Sequence, residues 1–236
     1  MVDYQCKNFY TVQDLMDIVR VLRGPGGCPW DQVQTHESIR RDLLEEAYEV
    51  VEAIDQRDST NLKEELGDVL LQVAFHTVLE DEQGGMTLDD VADGVCKKLI
   101  YRHPHVFGDV TVSGTEEVLS NWEDLKRVEK DQKSASDTLE AVARSLPALW
   151  RAEKVQKKAQ KAGYDWPDPA ALVDELARRV EELRAAGNGD MEQTLGGLLF
   201  AAVNLARQQK LDPEVALTGA TDAFIRAFRA REAHGL

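Results

Sequence analysis

Apolar residues recur at three- and four-residue spacing along most of this chain, and stretches that alternate apolar with polar positions are few. That period predicts an all-α protein. Helices are expected over about 12–23, 38–56, 61–79, 87–101, 116–132, 148–161, 169–186, 191–208 and 213–233, from where the period starts and stops. Gly24 to Cys28 and Gly84-Gly85 read as loops, Pro104 as the end of the fourth helix, and Asn188-Gly189 as the break in the late pair. Gln56, Arg57, Asp58, Ser59, Thr60 and Asn61 form a polar interruption short enough to fold the second and third helices into an antiparallel hairpin.

The third helix departs from the usual two-faced pattern. Asn61, Glu65, Asp68, Gln72 and His76 fall on one stripe, while Leu66, Val69, Leu70, Leu71, Val73, Ala74, Phe75 and Val78 cover the rest. A helix so apolar is expected to be buried. Burying two carboxylates costs several kcal/mol each, roughly, unless positive charge meets them, and no Lys or Arg lies between Lys63 and Lys97. A metal ion would meet that need.

Candidate co-ligands stand one helix earlier. In Leu44-Glu45-Glu46-Ala47-Tyr48-Glu49-Val50-Val51-Glu52, Glu45, Glu49 and Glu52 share a face and Glu46 flanks it, a locally repulsive arrangement. A solvated acidic surface is the plain alternative for this helix taken alone. The hairpin, however, brings Glu46 and Glu49 opposite Glu65 and Asp68, and all-carboxylate ligation from rigid helices suits Mg²⁺ or Mn²⁺ rather than zinc or iron.

Composition narrows the classes. The formal net charge of −15 over 236 residues argues against a reader of DNA or RNA, which must neutralise many phosphates. A single nucleotide carried by a cation is a different ligand and stays compatible. Cys6, Cys28 and Cys96 are an odd number without paired spacing and read as reduced thiols; no apolar run reaches membrane length, and the opening residues lack the order of a secretory leader. The expectation is a cytoplasmic protein with no membrane partner.

Four stretches then point to a family: Gly27-Cys28-Pro29-Trp30-Asp31 with Gln34-Thr35, the acidic hairpin, Arg102-His103-Pro104-His105-Val106-Phe107-Gly108, and Arg144-Ser145-Leu146-Pro147-Ala148-Leu149. In this order they resemble the MazG family of all-α nucleoside triphosphate pyrophosphohydrolases. The resemblance implies antiparallel helix bundles, a homodimer, a nucleoside triphosphate substrate, and hydrolysis to the monophosphate and pyrophosphate by water attacking the α-phosphorus. It also implies nucleotide-pool housecleaning as the purpose. Glu46, Glu49, Glu65 and Asp68 are the expected Mg²⁺ ligands, with Mn²⁺ a possible substitute. Glu45 is the outlying acid, a general base, an orienting group or a surface residue.

Substrate contacts follow from need. Lys98 and Arg102 share a face at the end of the fourth helix and can meet a departing pyrophosphate, although basic residues there also complement the helix dipole. Trp30 can stack on a nucleobase and Asp31 or Gln34 can read its edge; the same residues can equally cap the next helix. Gly24-Pro25-Gly26-Gly27 is no P-loop, since the Gly-Lys-Ser/Thr ending is absent. His103 and His105 are expected to order their turn, His76 to be a satisfied core histidine, and Trp122 to pack.

The chain also repeats itself. Leu66-Gly67-Asp68-Val69-Leu70-Leu71 aligns with Leu195-Gly196-Gly197-Leu198-Leu199-Phe200, so Glu65, Asp68, Gln72 and His76 correspond to Thr194, Gly197, Ala201 and Leu205. Glu45, Glu46 and Glu49 correspond to Arg178, Arg179 and Glu182, and Lys98 and Arg102 to Ala223 and Ala227. The expected organisation is a catalytic MazG-like helical repeat over 1–112, a helical connector over 113–162 and a degenerate MazG-like repeat over 163–236. Rival classes are a di-iron bundle, which lacks its Glu-x-x-His motifs, a non-catalytic helical interaction protein, and a narrow relative acting on dUTP or phosphoribosyl-ATP.

Overall fold

The computed structural model describes residues 4–164, 169–185 and 190–233, and among these it contains helices and no strand. The helices are α1 (Val12–Arg23), α2 (Pro29–Gln32), α3 (His36–Gln56), α4 (Ser59–Asp81), α5 (Leu88–Arg102), α6 (Pro104–Phe107), α7 (Thr115–Glu129), α8 (Ala135–Glu140), α9 (Ala148–Lys161), α10 (Pro169–Ala185), α11 (Met191–Gln208) and α12 (Pro213–Glu232). The nine long and medium helices stand where the period placed them. The sequence reading missed α2, α6 and α8, which are four to six residues long and too short to show a period. Pro104 does not merely end α5: it is the first residue of α6, where its missing N–H goes unneeded. The expected break at Asn188-Gly189 lies outside the described residues.

The chain divides into two compact units, Met1–Ser113 and Gly114–Leu236. In the first, α3 and α4 form the antiparallel hairpin, joined by Arg57 in the left-handed region and by Asp58, whose carboxylate caps α4 by accepting from the N–H groups of Thr60 and Asn61. Helix α1 lies against α4, and their contact is the core of this unit: Met16, Val19, Ile39, Ala74, Phe75, Val78 and Leu79, with Leu15, Leu71 and Leu88 packed around it. Thr11, Thr35 and Thr87 close capping boxes at the starts of α1, α3 and α5.

One expectation about α4 is corrected here. Its C-terminal half is buried, but its N-terminal half is not: Leu66 is 51 % exposed and Leu70 36 %. On the facing part of α3, Leu44, Tyr48, Val51 and Ile54 are exposed as well. Helix α1 is too short to cover both ends of the hairpin, so the end that carries the acids keeps a bare apolar surface.

In the second unit, α10 and α11 form the main helical pair, and α9 packs on α8, α11 and α12. Gln156 is fully buried and donates from Nε2 to the Phe200 carbonyl at 2.8 Å, while buried Arg207 donates to Asn204 Oδ1.

Candidate active site

The acids converge because helical spacing and the hairpin leave them no alternative. Glu46 and Glu49 lie one turn apart on α3, Glu65 and Asp68 one turn apart on α4, and antiparallel pairing sets the two turns side by side. One carboxylate oxygen from each of Glu46, Glu49 and Glu65 lies within 4.8 Å of the other two. Burial raises the Glu46 carboxyl above its ordinary value, followed by the charges of Asp68 and Glu49. Glu65 is likewise raised, first by burial and then by Glu49, Glu64 and Asp68. The charges acting most on these groups are other carboxylates, so the bare cluster repels itself.

That electrostatic frustration tests whether the residues suit a cation. Three or four carboxylates on rigid backbone, with oxygens already at chelating separation, supply hard donors and excess negative charge, the donor set that Mg²⁺ or Mn²⁺ takes. The residues fit. Asp68 stands outside the closest trio but acts on both Glu46 and Glu65, and Glu45 is exposed beside them.

Other predicted residues are placed differently. Lys98 and Arg102 ride on α5, whose Leu88 packs against the core and which has no fully buried side chain among the described residues. Trp30 is 60 % exposed, whereas Asp31 is buried. Both ends of the Gln34 amide are used within its turn: Nε2 donates to the Trp30 carbonyl at 2.9 Å and Oε1 accepts from Ser38 Oγ at 2.7 Å. His103 orders its turn as expected, donating from Nδ1 to the Leu99 carbonyl at 2.6 Å.

His76 is not the fully satisfied core residue that was expected. Its Nδ1 lies 2.7 Å from Nδ1 of His36 with the two rings nearly coplanar, and His36 Nε2 lies 3.0 Å from Glu80 Oε1. One ring donates to the other through the Nδ1 atoms, and Nε2 of both His36 and His76 is buried with no hydrogen-bond partner among the described residues. Burial, and then His36, hold the His76 imidazole below its ordinary pKa. Sequence reasoning had no signal for this pair, whose members are 40 residues apart.

Sequence relatives bear on the same residues. The MazG nucleotide pyrophosphohydrolase domain matches residues 34–107, which span the hairpin and α5. A nucleoside triphosphate pyrophosphohydrolase/pyrophosphatase MazG of Thermotoga maritima is 42 % identical over 221 residues, covering 93 % of this chain and 85 % of that protein. The chain belongs to the MazG family. A nucleoside triphosphate pyrophosphohydrolase of Escherichia coli is 40 % identical over 94 % of this chain and 87 % of its own length. An uncharacterised protein, YabN of Bacillus subtilis, is 44 % identical over 93 % of this chain, which spans 46 % of it. The MazG likeness thus extends well beyond the acidic hairpin. Among the described residues no helix is long and apolar enough to cross a membrane.

Proposed function

We propose that this MazG protein hydrolyses nucleoside or deoxynucleoside triphosphates between the α- and β-phosphates, releasing monophosphate and pyrophosphate, as a housecleaning activity on the cytoplasmic nucleotide pool. The observation that carries this reading is the chelating trio of Glu46, Glu49 and Glu65, with Asp68 beside it, in a family named for that reaction. These four residues would hold Mg²⁺, with Mn²⁺ able to substitute. When bound, the cation supplies charge neutralisation at the phosphate oxygens and a more acidic water. The carboxylates of α3 and α4 would position the triphosphate through the cation; Glu45, which is exposed, would accept a proton from the attacking water or orient it.

We assign the remaining chemistry to a second copy of the chain. Lys98 and Arg102 are our candidates for the charge that stabilises departing pyrophosphate, and α5 would bring them to the acids within a homodimer. Exposed Leu44, Tyr48, Val51, Leu66 and Leu70 supply an apolar surface around the acids that a helix pair from another copy would cover. We assign catalysis to residues 1–112, a connector to 113–162 and a degenerate repeat to 163–236.

The test is pyrophosphate release from a panel of canonical and damaged nucleoside triphosphates, with Mg²⁺ and with chelator. Cation-dependent release from several of them supports the reading. Release from dUTP or phosphoribosyl-ATP alone would make the protein a narrow relative, and cation binding without release from any substrate would make it a binding protein.

A further inference from the structure

The turn that presents Trp30 is held far more tightly than a surface loop requires, and one buried side chain does most of the holding. The side chain of Arg23, at the last position of α1, is 7 % exposed. Its Nε and Nη2 donate to the two carboxylate oxygens of Glu82, just past α4, each at 2.8 Å. Its Nη1 donates to the carbonyls of Asp31 at 2.6 Å and Gln34 at 3.2 Å, and the guanidinium lies over the Phe75 ring. A bidentate carboxylate pair and two backbone carbonyls use the planar fork as Lys could not.

The other groups of the turn are fixed as well. Gly26 takes a positive φ, and a Cβ on Gly27 would sit 2.2 Å from the Leu22 carbonyl oxygen, so the chain returns across the end of α1 at a distance only glycine permits. Cys28 N–H then donates to that same carbonyl at 2.7 Å, and Gln32 Nε2 donates to the Gly24 carbonyl at 2.7 Å. At the far end, His36 meets His76, two turns beyond Asp68 on the polar stripe of α4. Within this immobilised frame the Trp30 indole stands 60 % exposed. A rigid backbone that offers an exposed indole is preorganised for stacking, since little ordering cost remains when a flat ligand arrives.

We propose that Arg23 is a positioning residue for the pyrophosphohydrolase site: by clamping the 29–34 turn to the end of α4, it sets the Trp30 indole as a stacking platform for the nucleobase of a triphosphate held at the acids. This rests on the functional reading above for the substrate class, and on the geometry of Arg23 for the role. Arg23 touches no reacting atom. Its effect falls on recognition of the base and leaves the phosphate chemistry alone.

The experiment compares substrates that share a triphosphate and differ in having a base. For native protein, Arg23→Lys, Trp30→Ala and the double variant, kcat and KM are measured with a nucleoside triphosphate and with methyl triphosphate; calorimetry measures binding of the α,β-imido nucleoside triphosphate. Arg23→Lys is expected to raise KM for the nucleoside triphosphate, and to weaken binding of its imido analogue, about tenfold, within the range of one base–aromatic stack. The kcat should stay within about twofold, methyl triphosphate should be unaffected, and the double variant should be no worse than the worse single variant. Equal losses on both substrates, or losses that multiply in the double variant, would overturn the proposal. Should Arg23→Lys not fold, Glu82→Gln removes the anchor of the same clamp and is judged by the same criteria. Native protein that binds the imido nucleotide without turning over its parent would contradict the hydrolase reading and leave the clamp to be judged by calorimetry; native protein that binds no nucleotide would contradict both.

Discussion

The helix pairs α3–α4 and α10–α11 differ in how their acids are met. In the first, Glu46, Glu49 and Glu65 crowd together, and the charges acting most on Glu46 and Glu65 are negative. In the second, Arg178 and Arg179 stand at the positions corresponding to Glu45 and Glu46, and they pair with Glu175 and Glu182. These guanidiniums hold the Glu175 carboxyl below its ordinary value. Gly197, where the alignment places the counterpart of Asp68, lies beneath Arg179: a Cβ there would be 2.9 Å from Nη1. The second hairpin thus carries its cation as a side chain. In the first, the charges acting most on Glu46 and Glu65 are other carboxylates, and that imbalance is what we propose an external cation answers. A helix pair can tolerate packed acids with an internal counter-charge or with an external one; only the external one leaves room for chemistry.

The comparison breaks most visibly in activity. Glu49→Ala and Asp68→Ala each remove a proposed ligand and should lower pyrophosphate release about a thousandfold, taking a cation's charge stabilisation as several kcal/mol. Glu182→Ala, the counterpart of Glu49, should leave release within about twofold. Both sets are checked on variants whose far-ultraviolet dichroism matches the native protein. Equal losses from Glu182→Ala would mean that the second hairpin also works.

A smaller effect concerns stability. Glu46 and Glu65 titrate above their ordinary value of 4.5, so without cation the folded state binds these protons more tightly than the unfolded state does. Their contribution is therefore most favourable in acid and declines as pH rises through the raised values. In chelator above that window, Glu49→Gln should relieve repulsion and raise the melting temperature by a few degrees, about 0.5 kcal/mol. With Mg²⁺ present the sign should reverse. Thermal melts with and without the cation check this, and a Glu49→Gln protein less stable in both conditions would contradict it.

The smallest expected effect belongs to the second hairpin. Arg179 and Glu175 are partly exposed, so Arg179→Gln should cost no more than about 1 kcal/mol in a denaturant melt and leave pyrophosphate release unchanged. Added Mg²⁺ should not stabilise native α10–α11 by hydrogen exchange, whereas it should slow exchange in α3–α4.

Sequence disclosed the acids and hid their surroundings, for a physical reason. Spacings of three and four residues fix which side chains share a helix face, so Glu46, Glu49, Glu65 and Asp68 could be assembled from the order of residues alone. The contacts that join distant segments have no such period: Arg23 meets Glu82 across 59 positions and His36 meets His76 across 40. In sequence Arg23 is simply a basic residue in a last helical turn. The apolar pattern of α4 was legible, but which half is covered depends on where α1 ends, and that left Leu66 and Leu70 bare. The placement of Asp31 and Gln34 was legible only as a choice between contacting substrate and holding the turn; in the structure the Gln34 amide and the Asp31 carbonyl are engaged within the turn.

The central claim is tested most directly by counting cations. Mn²⁺ bound per chain, measured by the loss of the free-ion electron paramagnetic resonance signal in native protein, Asp68→Ala and Glu182→Ala, isolates the two hairpins. The account predicts saturable binding in native protein that Asp68→Ala abolishes and Glu182→Ala leaves intact. Binding that survives Asp68→Ala and is lost in Glu182→Ala would contradict it.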